Sequence, residues 1–400
     1  MHRLAPRLGS WMFAAVLLCS GGCSKFVFQK TAASLPGHRD WPQAGGGSDR
    51  ASQRDTGPAL PLQERHRLRM SSALGPQLIV SDGILYAPTL DGRLSAIDLS
   101  RFRVVVRKKL PQAYEAAIAV QDSSLIIAQR YGTKTLSLYD IRRGNLAWRI
   151  DAGDIATEPL VVDSLIIAAA LYQHIDAYAR ADGRRCWQYR TSAQIHCSPA
   201  AAHGVLVAGT DDGRLLGLDV LTGIKKWETD THPSNVDSSA AGPMTGGIYA
   251  TPVIRRQTVY VGTLDQEFLG VDLFTGAIRW RSPLESKVIH AAAANDTLVV
   301  FGMNDGRIRA LEAATGRTRW EFRASSGIGT SPTIAGERVF VGSLDHTLYC
   351  LLISDGTLLW SQALEGRIRT APVVWDRYLI TACEDNLLYI FEGAPAHGSF

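Results

Sequence analysis

Basic residues form no long run in this chain. Its 400 residues carry 42 Lys and Arg against 38 Asp and Glu, a net charge of +4. A nucleic-acid binder needs a concentrated basic face to meet phosphates, so this balance argues against that class of partner. No apolar stretch is long enough to cross a bilayer as a helix. The six cysteines (Cys19, Cys23, Cys186, Cys197, Cys350 and Cys383) include no adjacent pair and no Cys-x-x-Cys, so metal-knuckle and redox spacings are missing. Also missing are Gly-x-Ser-x-Gly, His-Glu-x-x-His, a phosphate-cradling glycine loop and the heme-attachment motif. The chain carries no local signature of catalysis.

Methionine is scarce at 5 residues, whereas glycine reaches 37 and tryptophan 9. That mixture favours many short strands and turns over helices. With 46% apolar and 20% charged residues, the chain can bury a core and is not a disordered polymer.

The first 22 residues read as a signal peptide. Arg3 and Arg7 precede a short apolar run, WMFAAVLL, and then Ser20, Gly21 and Gly22 lead to Cys23. Small-small-Cys resembles the bacterial lipoprotein box, in which the cysteine is acylated and becomes the first residue. Ser24 follows it. By the sorting rule of such lipoproteins that residue implies the outer membrane, facing the periplasm, with a soluble periplasmic protein as the alternative. An oxidising compartment would permit a disulfide, and Cys186 and Cys197 are candidates, against a plain reading as small buried residues. Residues 23–63 are rich in Gly, Ser, Pro and charge and read as a flexible tether. Residues 393–400 read as a tail.

A repeat then sets the fold, expected to be all-β. Trp148, Trp187, Trp227, Trp280, Trp320 and Trp360 follow one another at intervals of 39, 40, 53, 40 and 40 residues. The unit is clearest at residues 205–227, VLVAGTDDGRLLGLDVLTGIKKW, and returns at 259–280, 298–320 and 339–360. Weaker copies lie at 85–99, 125–148, 165–187 and 379–391. Each unit holds an alternating strand, an Asp-containing turn, a second strand, a Thr-Gly-type turn and a strand with Trp. A further strand precedes each unit, with Pro159, Pro199, Pro252, Pro332 or Pro372 near its start. Four antiparallel strands per 40 residues is a propeller blade, and eight units give an eight-bladed β-propeller over residues 64–392. The tryptophans are expected to plug the joints between blades. The last unit lacks its Trp strand. Residues 64–72, with the alternating stretch 66–70, are therefore expected to close the ring and cover its open edge, with Arg67 and Arg69 facing out. His174, His196 and His290 fall near strand starts that approach the central channel.

These motifs resemble the repeats of the pyrroloquinoline-quinone (PQQ)-like propellers. Within that group the chain is similar to the periplasmic scaffold lipoproteins of the outer-membrane β-barrel assembly machine (the BamB family). The similarity rests on the eight units, the lipoprotein-like start, the Trp41-Pro42-Gln43-Ala44-Gly45-Gly46 opening and a longer interval after Trp227. That interval places about 13 extra residues within 230–249. In the family, this loop and the loop before the fourth blade contact the barrel-forming partner. Family members carry an Asp-x-Asp pair in the first, where this chain has Gly247 and Tyr249. They carry a Leu-x-Leu-Arg run in the second, where it has Thr191, Ala193 and Gln194. The resemblance thus implies a partner surface at Thr191, Ala193, Gln194, Gly247, Ile248 and Tyr249, with Tyr172 nearby, built from other side chains. Ile248 and Tyr249 are expected at its centre.

A second branch, the quinoprotein alcohol dehydrogenases, uses a catalytic Asp, a bound calcium ion, a Trp floor under the quinone and commonly adjacent disulfide-bonded cysteines. The turn aspartates here (Asp91, Asp212, Asp265, Asp305, Asp345 and Asp385) recur once per blade, which the turns explain. The expectation is therefore a non-enzyme without cofactor or metal. Its partners would be the membrane, through Cys23, and a barrel-assembly protein; capture of a small ligand, sugar or peptide in the channel mouth is the alternative. Cys23→Ser is expected to move the protein from the membrane to the soluble fraction and to abolish palmitate labelling; failure of the unaltered chain to take up label would exclude the anchor.

Overall fold

Short runs of alternating or wholly apolar residues, each closed by a turn residue, form every regular element. In the computed structural model, which describes residues 40–110, 116–155, 157–233 and 246–393, eight sheets are present and the described residues contain no helix. Each sheet is a blade of four antiparallel strands, and one carries an additional short parallel strand. The fourth blade is typical. Its strands are Ala200–Ala202, Val205–Gly209, Arg214–Asp219 and Lys225–Asp230, from the channel outward. The middle two are almost wholly buried, and on the outer one Trp227 alone is buried. The hydrophobic core is thus a series of layers between neighbouring blades rather than one central mass.

The recurring tryptophans seal those layers. The indole N–H of Trp148, Trp187, Trp227, Trp280 and Trp320 donates to a carbonyl of the next blade: Arg180, Val220, Leu273, Ala313 and Ile353, at 2.7–3.2 Å. Each of these rings lies against a glycine in the receiving blade's third turn, as Trp187 does against Gly223. A Cβ there would stand 2.5 Å from the ring, and φ is +71°. Only glycine satisfies both demands, which explains the Thr-Gly of the repeat. Trp360 departs from the series and instead meets Phe391 edge-on, with centroids 5.7 Å apart.

The ring closes on a composite blade. Leu62–Arg69 pairs antiparallel with Leu387–Gly393 as the outer strand beside Val373–Trp375 and Tyr378–Cys383. Arg67 and Arg69 are exposed on it. Residues of this last blade and of the first, among them Val80, Leu85, Val373 and Ile380, share one core cluster.

The stretch read as a tether behaves otherwise from residue 40 onward. Residues 41–54 run round the inside of the ring, beside the channel-facing edges of the innermost strands. Those edges have no sheet neighbour, so their N–H groups need another partner. The N–H of Val80 donates to Trp41 O (2.9 Å), Val120 to Pro42 O (2.7 Å) and Val161 to the Gln43 side-chain oxygen (3.0 Å). Ala201, Ile254, Ala294 and Ile334 donate to the carbonyls of Ser48, Asp49, Ala51 and Ser52, at 2.7–2.9 Å. These seven donors occupy one equivalent position in seven consecutive blades. Gln53–Arg54 then pairs parallel with the innermost strand of the seventh blade. The Gly, Ser and Pro content that suggests flexibility serves here to bend a belt, with Gly45 at φ +73°, Gly46 at +86° and Arg50 at +58°.

The belt enters and leaves on the same face. Asp40 accepts from the Asp82 N–H (3.0 Å) in the first turn of blade one, and Arg54 O accepts from Gly336 N–H (3.0 Å) in the first turn of blade seven. The opposite face carries the blade-to-blade crossovers. Trp41 is 2% exposed and belongs to the cluster that joins the first and last blades. Trp41→Ala should therefore cost about 3–5 kcal/mol and lower the thermal midpoint of the whole ring. Gln63→Ala, an exposed position on the closing strand, should shift it little. Equal midpoints for the two variants would show that the belt does not hold the ring.

Candidate functional site at the crossover face

Both loops singled out by their sequence lie on the crossover face, fastened to opposite sides of one turn. The Asp211 N–H donates to Gln194 O (2.9 Å), and the Ile248 N–H donates to Thr210 O (3.0 Å). The fourth blade's second turn, residues 210–213, therefore holds the Thr191–Gln194 loop and the 247–249 segment side by side. The Thr191 hydroxyl donates to Ala193 O (2.7 Å), and Ser192 Oγ to the Asp212 carboxylate (2.8 Å). Across the turn, the rings of His196 and Tyr249 lie 5.0 Å apart at 31°. Nδ1 of His196 is 2.8 Å from the Asp211 carboxylate, which fixes the imidazole. Burial and the Asp211 charge raise the Tyr249 phenol above its ordinary pKa. The first residues of the insertion are pinned as well: the Arg281 guanidinium donates to Thr231 O (2.9 Å) and His232 O (3.2 Å). Its tip, residues 234–245, lies outside the described residues.

The six expected contact residues divide. Gln194 is exposed, and Ala193 and Tyr249 are partly so; Tyr172, on the neighbouring blade, is 67% exposed. Thr191 and Gly247 are buried. Ile248, expected at the centre of an interface, is fully buried. It wedges over Gly209, where a Cβ would meet its Cγ2 at 2.4 Å. Val288 over Gly262, Ile328 over Gly302 and Ile368 over Gly342 repeat the contact. The signal was in the sequence, because Ile155, Ile195, Ile248, Val288, Ile328 and Ile368 keep the blade period across the insertion.

Cys186 and Cys197 are both free. Cys186 sits exposed on an outer strand, whereas Cys197 is in the core with its thiol toward Gly209 O (3.4 Å). Thr157 and Thr330 fill the equivalent position in their blades and bond the equivalent strand carbonyl, so Cys197 stands in for a threonine. Burial pushes its thiol pKa up to about 12.

The channel mouth, read from the sequence as the alternative ligand site, is a cup. The channel is floored by Ala44, Gly45, Arg50 and Ser52 of the belt, leaving a hollow of about 260 Å³ open at the crossover face. His196, Ser198, Tyr249 and His290 are on its wall, with Glu158 and Ser331. Arg50 is 1% exposed, and its guanidinium donates to Ala44 O (3.0 Å), Pro199 O (3.2 Å) and Glu158 O (3.3 Å). Ser198 Oγ donates to the Glu158 carboxylate. His174, by contrast, stands off the cup, 2.7 Å from Asp176. Among the described residues, no three His, Cys, Asp or Glu side chains converge as a metal-ligand set.

Comparison with known proteins places this geometry. Residues 132–250, 234–331 and 304–396, together more than half the chain, match the family described as outer membrane protein assembly factor BamB. The chain belongs to this family. It is 23% identical to the BamB of Moranella endobia over 227 residues, 53% of this chain and 58% of that protein. The chain thus spans under two thirds of that relative's length. It is also 30% identical to the quinohemoprotein alcohol dehydrogenase ADH-IIG of Pseudomonas putida, over 38% of this chain and 23% of that enzyme. The crystal structure of BamB from Moraxella catarrhalis superimposes with a TM-score of 0.70 at 21% identity, covering 83% of this chain and 100% of that one, a likeness of fold. BamB family membership and the eight-bladed propeller therefore stand together, while the dehydrogenase match covers a smaller part of this chain.

Burial, with Arg369 nearby, lowers the His290 pKa to about 4. Between that value and the ordinary 6.5, the unfolded chain binds a proton that the folded chain refuses. Stability contributed by neutral His290 is thus complete above pH 6.5 and is lost as the pH falls toward 4, by roughly 3 kcal/mol at most. His290→Gln should flatten the pH dependence of urea midpoints in this window; an unchanged slope would show that His290 is not the group responsible.

Proposed function

We propose that this BamB-family protein is a non-catalytic scaffold lipoprotein of the outer membrane, docking on the barrel-assembly machinery through the crossover face of blades three to five. One observation carries the reading. The only long interval in the blade period lies at the crossover next to the Thr191–Gln194 loop, and one turn, residues 210–213, holds both. Rigid blades present such loops with little entropy left to lose on binding. The solvent-facing groups there, Gln194, Tyr249 and Tyr172, combine hydrogen-bonding capacity with aromatic surface, which suits an interface centre. Gly247 and Tyr249 replace the family's acidic pair, so a partner with a less basic counter-surface fits this chain. Anchoring through an acylated Cys23 would keep the propeller beside the membrane in which the barrels assemble, since each buried methylene adds roughly 0.8 kcal/mol to anchoring.

Deleting residues 234–245 should leave the thermal midpoint nearly unchanged, because the described ends of the insertion are fastened independently. The same deletion should remove barrel-assembly proteins from a crosslinked capture out of membranes. A capture from the unaltered protein that contains no assembly factor, or one that the deletion leaves unchanged, would reject this docking surface.

A further inference from the structure

We propose that the cup at the crossover end of the channel binds a small uncharged, hydroxyl-rich ligand of the saccharide class. The belt makes this a closed-bottomed site rather than a pore. Its hollow of about 260 Å³ stands at the small end of ligand sites, the scale of a single sugar ring rather than of a large cofactor. The charges inside it are already answered. Arg50 spends donors on three backbone carbonyls and lies near the Glu158 charge. The Glu158 carboxylate accepts from Ser198, and the Asp211 charge is turned to His196. The Arg50 and Glu158 charges lie near one another and offset, so the cup has no strong net charge to select an ion. What the wall offers instead is neutral hydrogen-bonding capacity.

His290 lines the cup with no hydrogen bond to another described residue, and burial with Arg369 nearby keeps it uncharged at neutral pH. His196 has one ring nitrogen held by Asp211, which leaves the other for a ligand. Glu158 keeps acceptor capacity beyond its bond to Ser198, and Ser331 adds a hydroxyl. The tilted His196–Tyr249 pair supplies an aromatic face for the C–H side of a pyranose, and Ile289 adds an apolar edge. Hydroxyl groups that both donate and accept match a wall of imidazole, carboxylate and hydroxyl groups.

His290 and Glu158 depart from the blade period. The residue two places before the inner-strand proline is repeatedly threonine or cysteine (Thr157, Cys197, Thr330, Thr370). His290 takes the corresponding place in blade six. The next position inward is Glu158 in one blade but Ser198, Thr251 and Ser331 in others. A ring built only for packing would keep these positions alike.

The experiment is titration of the purified propeller with glucose, N-acetylglucosamine and maltose, read by saturation-transfer NMR and calorimetry. At least one of the three should saturate with a dissociation constant in the range of about 0.1–10 mM. Glu158→Gln and Tyr249→Ala should each weaken it by roughly tenfold, the loss expected for one good polar or stacking contact. Tyr172→Ala, outside the cup, should not, and thermal midpoints report whether each variant is folded. Absence of saturation with all three sugars up to about 50 mM would overturn the proposal. So would binding unaffected in both cup variants. The titration needs no assembly partner, so its outcome is independent of the docking test.

Discussion

The constraint on which the architecture depends is the unpaired inner edge of each blade. A propeller of short sheets turns eight strand edges toward one narrow channel, where water has little room to satisfy them. Here a single extended segment satisfies seven of those edges, one hydrogen bond to the same position in each blade. The cost of ordering that segment is spread over seven bonds, a buried Trp41 and a buried Arg50. It also couples the blades. A blade displaced from the ring would strand a donor in the channel as well as break the indole bond to its neighbour.

The outer joints use a second device for the same purpose. Five indoles donate across the gap between blades, and each covers a glycine in left-handed backbone. The belt fixes the inner radius and the indoles fix the outer one. Between these two rings of contacts the sheets have little freedom to tilt. That rigidity lets a crossover loop be placed by its blade rather than by its own sequence, which is how loops far apart in the chain come to share one turn.

The blades were legible because they repeat. Trp, Gly and Pro each answer a local demand that recurs every 40 residues, and the structure has a blade wherever the period appears. The closing strand was legible from a missing element, the Trp strand of the last unit. The belt was not legible, because composition reports a chain's own preferences and not whether a neighbouring edge needs partners. Two residues of it carry the signal that could have marked it: a tryptophan and an arginine, Trp41 and Arg50, in a polar, glycine-rich stretch. Ile248 was misplaced for the opposite reason. Attention to the insertion hid the fact that the isoleucine itself keeps the period, and a residue that keeps the period is core.

The same distinction separates scaffold from site. Residues that recur from blade to blade are accounted for by local structure, and the turn aspartates recur in six of the eight blades. Asp345, for instance, accepts from the Thr347 and Ser325 backbones and the Tyr349 hydroxyl. Residues that break the period need another reason. They gather in two adjoining places: Gln194 and the insertion on the crossover face, and Glu158, His196, Tyr249 and His290 in the cup. Tyr249 belongs to both, at the base of the insertion and on the cup wall. Its ring rests on His196, whose orientation Asp211 fixes, and Asp211 lies in the turn that carries both crossover loops. A contact made on the crossover face therefore bears directly on a side chain of the cup. The two surfaces meet at one aromatic pair and one turn.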